Sequence, residues 1–132
     1  KQRLADKEVF VATVGGIRLA DPATDLAVCL ALASAALDRD GDGAPMAVPL
    51  DVAAIGEVTL SGDIRPTRLT NQRLAEAIRL GFRRILTPVG TRVAYDKPAD
   101  DHRLIEVPTL KAAIREVGSM RHAGVRQRGS TR

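Results

Sequence analysis

Very few aromatic side chains are present: one Tyr, two Phe and no Trp, 2% of 132 residues. Proteins that hold single strands by stacking bases need exposed rings, so that mode of nucleic-acid binding is disfavoured. A single cysteine, Cys29, leaves no partner for an internal disulfide and no Cys-based zinc site, a usage that fits a reducing compartment. No apolar run approaches the roughly 20 residues of a membrane helix, and no basic-then-apolar leader opens the sequence. The expectation is a soluble, cytoplasmic protein with no membrane partner. Also missing are the G-x-x-x-x-G-K-[ST] phosphate loop, a G-x-G-x-x-G turn after a strand, and an H-E-x-x-H zinc pair. The two histidines, His102 in a polar segment and His122 in a basic tail, are not placed beside a nucleophile. Independent nucleotide hydrolysis and metal-dependent chemistry are therefore not expected, and no cofactor or metal is assigned to these residues.

Small aliphatic residues supply most of what is there. Hydrophobic residues make up 45% of the chain, enough for one packed core, which must be aliphatic and Ala-rich. The formal charge is +4, and Gly118 to Arg132 alone carries four arginines, Arg121, Arg126, Arg128 and Arg132, with no acid. The preceding residues are thus formally neutral, and a basic tail explains the excess without a nucleic-acid-binding fold. The division read from this is a domain over residues 1–117 and a basic, flexible tail over 118–132. Within the domain, Arg65, Arg68, Arg73, Arg79, Arg83 and Arg84 cluster against Glu76 alone. A solvated helix face is the ordinary explanation for such a cluster.

Glu8 to Val14 reads as a buried strand, broken by Gly15-Gly16 before a short second run, Ile17 to Leu19. The glycine pair reads as a turn rather than an anion nest. Asp21-Pro22 starts a helix, with Asp21 capping the free amides and Pro22 where an N–H is not needed. That helix should run to about Asp38 and is apolar on every face from Leu26 to Leu37, which predicts a central element buried on more than one side. Asp25 in its first turn suits the helix dipole. DRDGDG, Asp38 to Gly43, resembles the start of a calcium loop, but Pro49 stands where the twelfth-position glutamate belongs, so it reads as a surface loop. Val52 to Leu60, the turn Ser61-Gly62-Asp63 and Ile64 read as a hairpin. Glu57 is either an interface residue or a cross-strand partner. A second helix begins at Thr70 as its cap, with Leu69 and Leu74 as a hydrophobic staple, and ends at Gly81. Arg84 to Thr87 and Arg103 to Val107 read as strands, Gly90 to Asp101 as a polar loop, and Thr109 as the cap of a last helix ending before Gly118. This order is that of an α/β domain with crossover units on a mixed sheet.

Two segments, GGIRLADPATDLAVCLALASA from Gly15 to Ala35 and GEVTLSGDIRP from Gly56 to Pro66, precede an arginine-bearing helix and LGFRRILTP from Leu80 to Pro88. Together they resemble the carboxy-terminal domain of the bacterial RadA (Sms) DNA repair family, itself similar to the proteolytic domain of Lon protease. The resemblance covers roughly Asp6 to Val117. It implies a ribosomal-protein-S5-type, Lon-like α/β (α+β) fold, a mixed sheet with packed helices. It also implies a truncated chain, since the family carries a zinc finger and a RecA-like ATPase core ahead of this domain. ATP, magnesium and zinc would belong to those domains.

Lon-type peptidases place a serine at the start of the buried helix and a lysine at the start of the next one, because a hydroxyl needs a neighbouring amine to take its proton. By the resemblance those positions are Ala23 and Asn71. A one-residue shift brings up Thr24, but no lysine lies between Glu8 and Asp96. The resemblance thus implies a Lon-like domain without peptidase activity. It implies a scaffold for a hexameric ring around DNA in an ATPase that drives branch migration, with DNA, its own copies and a recombinase as partners. Arg65, Arg68, Arg73, Arg83, Arg84 and Arg18 become candidates for phosphate contacts. A divergent Lon-type Ser/Thr peptidase and an RNA-binding S5-type module are the alternatives.

Overall fold

The computed structural model describes residues 8–12, 15, 19–37, 47–94 and 103–126. Its elements are a 3-10 turn Pro22–Thr24, α1 Asp25–Leu37, β1 Val52–Ala54, β2 Glu57–Val58, β3 Ile64–Arg65, α2 Thr70–Arg79, β4 Arg84–Thr87, α3 Thr91–Ala94, β5 Arg103–Glu106 and α4 Leu110–Arg126. β1, β4 and β5 form a parallel sheet in the order β1-β4-β5, and β2 pairs antiparallel with β3. The fold is α/β.

Strand alternation divides the core in two. In β1, β4 and β5, Val52, Leu86 and Ile105 face one way and pack with Leu26 and Leu30 of α1 and Ala113 and Val117 of α4. Ala53, Ile85 and Leu104 face the other way, against Leu74 and Ala77 of α2. α1 and α4 therefore cover one face of the sheet and α2 the other.

Several expectations change. The first concerns Val52 to Leu60, which is two strands in different sheets, separated at Ile55 and Gly56. Gly56 turns its backbone to the start of α1: its C=O accepts from the Leu26 N–H (3.1 Å), and its own N–H donates to the Ala23 C=O (3.1 Å). A Cβ on Gly56 would lie 2.8 Å from Cγ2 of Ile64, so only glycine fits the approach.

Second, α1 is one-sided rather than buried all round. Leu26, Leu30 and Ala36 are buried, whereas Ala27, Ala31 and Ala35 face solvent, a methyl-only stripe that costs little to leave exposed. Third, residues 8–12 are exposed and in no strand, with Phe10 88% accessible. Fourth, α4 passes through Gly118 to Arg126, because Met120 packs on the core and outweighs the weak helix propensity of one glycine. Residues 127–132 of the basic tail lie outside the described residues, as do the Asp38 to Gly43 loop, Gly16 and Ile17. Within the segment read as the Gly90 to Asp101 loop, α3 forms a single turn whose Arg92 donates its N–H to Oε1 of Glu106 (2.8 Å) and a guanidinium N–H to the Leu104 C=O (2.6 Å).

The ends of α2 illustrate local coding. At its start, Leu69 rather than Thr70 is the cap residue, held at φ 59° with no side-chain cap, while Thr70 Oγ1 donates to the Thr67 C=O (2.7 Å). Leu69 is therefore the cap itself, exposed rather than stapled to the buried Leu74. At its end, Gly81 takes φ 89° and donates to the Ile78 C=O while Phe82 donates to the Ala77 C=O, the paired pattern of a Schellman stop. Thr109 caps α4 as expected, Oγ1 accepting from the Ala112 N–H (3.2 Å).

One buried polar group stands apart. Thr87, at the end of the central strand, is fully buried, and its hydroxyl has no hydrogen-bond partner among the described residues. Thr87→Val keeps the shape and removes an unpaired polar atom. It is expected to raise stability by about 1 kcal/mol in urea unfolding; a loss of that size would show that the hydroxyl is satisfied in solution.

Candidate nucleic-acid interface

The arginine cluster divides into paired and unpaired members. Arg73, on α2, forms an ion pair with Asp21 ahead of the 3-10 turn. Arg84, opening β4, forms a two-pronged pair with Asp51, its Nε 3.0 Å from Oδ2. Arg79 donates its Nε to Glu76 one turn earlier on α2 (2.8 Å). The remaining three, Arg65, Arg68 and Arg83, are exposed and have no ion pair among the described residues. Arg65 stands across the hairpin from Glu57. Arg68 precedes α2 and Arg83 follows it. The ten residues of α2 span about 15 Å, the rise of about four base pairs. The three cations thus bracket a helix instead of lining one face of it. Arg18 lies outside the described residues.

Asp21 serves two partners. Its Oδ1 accepts from the Ala23 N–H (3.0 Å), which caps the 3-10 turn, and its other oxygen takes the Arg73 guanidinium. The amide bond first and Arg73 second hold its carboxyl below the ordinary value. The Arg84 hydrogen bond does the same for Asp51, with Arg83 adding a smaller attraction, so both carboxylates stay ionised at neutral pH. These partners lie 52 and 33 residues apart in sequence, and no local spacing signals them. Asp25 lies in the first turn of α1 as expected, and it also accepts from the Val58 N–H across to β2 (3.4 Å). Burial, then the nearby Asp25 charge, pushes the Cys29 thiol up, which keeps it protonated.

An open groove of about 430 Å³ lies between the start of α1, β1 and α2, lined by Ala23, Ala27, Ile55, Leu69, Ala77 and Phe82 among others. Ala23 presents only a methyl there. Thr24 also lines it, and its hydroxyl donates to the Asp21 C=O (2.7 Å). Asn71, on the exposed side of the first turn of α2, is not among the lining residues.

Sequence comparison supplies the relatives. The chain is 39% identical over 117 residues to the DNA repair protein RadA of Mycolicibacterium smegmatis, an alignment covering 89% of this chain and 23% of that protein. It is 40% identical over 117 residues to RadA of Treponema pallidum, covering 89% and 24%. Its homologues are RadA DNA repair proteins. RadA of Escherichia coli is 40% identical over 86 residues, 65% of this chain and 17% of that protein. The chain thus spans about a fifth of the length of the RadA proteins it matches. No family model matches it. Among the described residues no helix is long and apolar enough to cross a membrane, and no group of three metal-ligating side chains occurs.

Proposed function

We propose that this chain is the Lon-like, non-peptidase scaffold layer of a RadA-type DNA repair and recombination ATPase, working in the cytoplasm. In this reading it supports a hexameric ring and binds DNA without regard to sequence while the ATPase drives branch migration, with a recombinase as a further partner. ATP and magnesium act in domains outside these residues. The carrying observation is that three arginines of the Arg65 to Arg84 cluster, Arg65, Arg68 and Arg83, are exposed and without ion pairs among the described residues, in a chain whose homologues are DNA repair proteins. Phosphates are the natural partners of such solvated cations, and contacts of this kind are sequence-independent and salt-dependent. The non-peptidase reading is supported by a groove where Ala23 offers no nucleophile and the Thr24 hydroxyl is engaged by backbone.

Duplex binding followed by fluorescence anisotropy across a salt series tests the proposal. Replacing Arg65, Arg68 and Arg83 together by glutamine is expected to weaken binding at least tenfold at low salt. The slope of log K against log salt should fall by up to about 2.7, near 0.9 for each phosphate no longer neutralised. Arg79→Gln should change little, because that side chain already has Glu76. Absence of duplex binding at low salt, or a triple variant that binds as before, overturns the DNA assignment. Tighter binding of structured RNA than of duplex would favour the RNA-binding alternative.

A further inference from the structure

The outer edge of β1 is left open. β1 runs parallel to β4 with Ala54 beside Leu86, and the Ile55 N–H donates to the Leu86 C=O (2.9 Å). In a parallel ladder alternate residues turn their N–H and C=O to the same neighbour, so Ala53 and Ile55 face β4 and Ala54 faces away from it. The Ala54 N–H and C=O have no hydrogen bond among the described residues. Elsewhere the fold closes its edges. The Arg92 guanidinium takes the outward Leu104 C=O of β5, the Asp25 carboxylate takes the Val58 N–H of β2, and the Pro108 C=O takes the Ile64 N–H of β3. Charged side chains are a usual protection of a sheet edge, and β1, composed of Val52, Ala53 and Ala54, carries none.

The apolar groove lies over that edge. Because α1 covers one face of the sheet and α2 the other, a cleft lined by Ala23 and Ala27, by Ala54, and by Ala77, Leu80 and Phe82 runs alongside β1 with a helix on either side. Its volume is about 430 Å³. Three residues of added strand occupy about 10 Å along the chain, 4.8 Å across and 10 Å between faces, roughly 480 Å³. The space is that of one short strand. Charge in the lining is already neutralised, Arg73 by Asp21 and Glu76 by Arg79, so the occupant it suits is uncharged.

We propose that this groove binds an extended, uncharged apolar segment of a partner protein, which adds to the sheet beside β1 through the Ala54 N–H and C=O. Main-chain hydrogen bonds supply affinity in this mode, and alternate side chains supply selectivity. Successive side chains of the added strand point to opposite faces, one set toward the methyl-lined α1 wall and the other toward Leu80 and Phe82. This site depends on neither the DNA contacts nor the assembly proposed above.

Fluorescence anisotropy of a dye-labelled, end-capped TVFVT peptide titrated with the full chain tests the site. Saturable binding is expected, and methylating the peptide's backbone nitrogens, which keeps every side chain, should weaken it at least tenfold, about the effect of one lost hydrogen bond. Ala54→Pro should do the same, since it deletes the edge donor while leaving the β4-facing bonds of Ala53 and Ile55, and proline is tolerated at such edge positions. Ala27→Arg, at an exposed position on the α1 wall, is a second variant expected to weaken binding; matching circular dichroism confirms the fold of both. Duplex binding should be unchanged by Ala54→Pro. Absence of TVFVT binding at millimolar protein overturns the site, and binding that both N-methylation and Ala54→Pro leave unchanged overturns strand addition. Binding that appears only in a Phe10→Asp variant overturns the partner segment as occupant and assigns the groove to the exposed Val9, Phe10 and Val11 of the chain itself.

Discussion

Gly56→Ala is expected to destabilise the protein by about 2 kcal/mol and lower Tm by roughly 10 °C, although it adds one methyl group. The added Cβ would lie 2.8 Å from Cγ2 of Ile64, which is itself buried in the core at the start of β3. The backbone cannot withdraw, because Gly56 exchanges hydrogen bonds with Ala23 and Leu26 and so ties the start of α1 to the exit of β1. A second variant separates clash from backbone strain. In an Ile64→Ala background the offending methyl is gone, and the alanine at position 56 should then cost at least about 1 kcal/mol less than in the unmodified chain. Equal costs in the two backgrounds, measured by urea unfolding, would reject the steric account.

Leu86→Ala is expected to cost about 2–5 kcal/mol, the range for emptying a packed leucine site. Leu86 is fully buried on the central strand of the parallel sheet, between β1 and β5, and belongs to the cluster that joins α1 to α4. Helices on one side and the sheet on the other limit collapse into the vacated space, which puts the cost toward the upper end. Against a domain stability of the usual 5–15 kcal/mol this is a large fraction, so the midpoint of urea unfolding should move strongly with little change in slope. Ala31→Ser, on the exposed stripe of α1, serves as the comparison and should stay within about 0.5 kcal/mol. A Leu86→Ala loss below about 1 kcal/mol would mean that this cluster is not the packed centre of the fold.

The parts of the fold legible in the sequence are those governed by neighbours in the chain. Asp21 and Pro22 before the 3-10 turn and α1, Gly81 after α2 and Thr109 before α4 each act within a few residues of themselves, and each does what its chemistry predicts. The inward stripe of α2 read from helical spacing, Leu74, Ala77 and Ile78, packs on the core, Leu74 and Ala77 buried and Ile78 half-buried. Where distant elements decide, local pattern misleads. Val52 to Leu60 has the composition of one strand, but Gly56 is drawn to the start of α1, and the run divides between two sheets. Gly118 looks like a stop, yet the packing of Met120 carries α4 beyond it.

For the candidate site the same distinction holds. An arginine-rich stretch between Arg65 and Arg84 is visible in composition, and the positions Ala23 and Asn71, with no nucleophile and no amine, follow from the resemblance of flanking motifs. Which arginines remain without carboxylate partners is not visible there. Asp21 and Asp51 sit far from Arg73 and Arg84 in sequence and reach them only after the 3-10 turn is set beside α2 and β1 beside β4. By itself the sequence determined the α/β class, the local starts and stops of the helices and the inventory of charges. The tertiary structure decided which charges neutralise one another, which alanines of α1 face water, and that Leu60 and the groove beside Leu69 are left apolar and open. Ion pairing and burial depend on distances between residues remote in the chain, and only packing sets those distances.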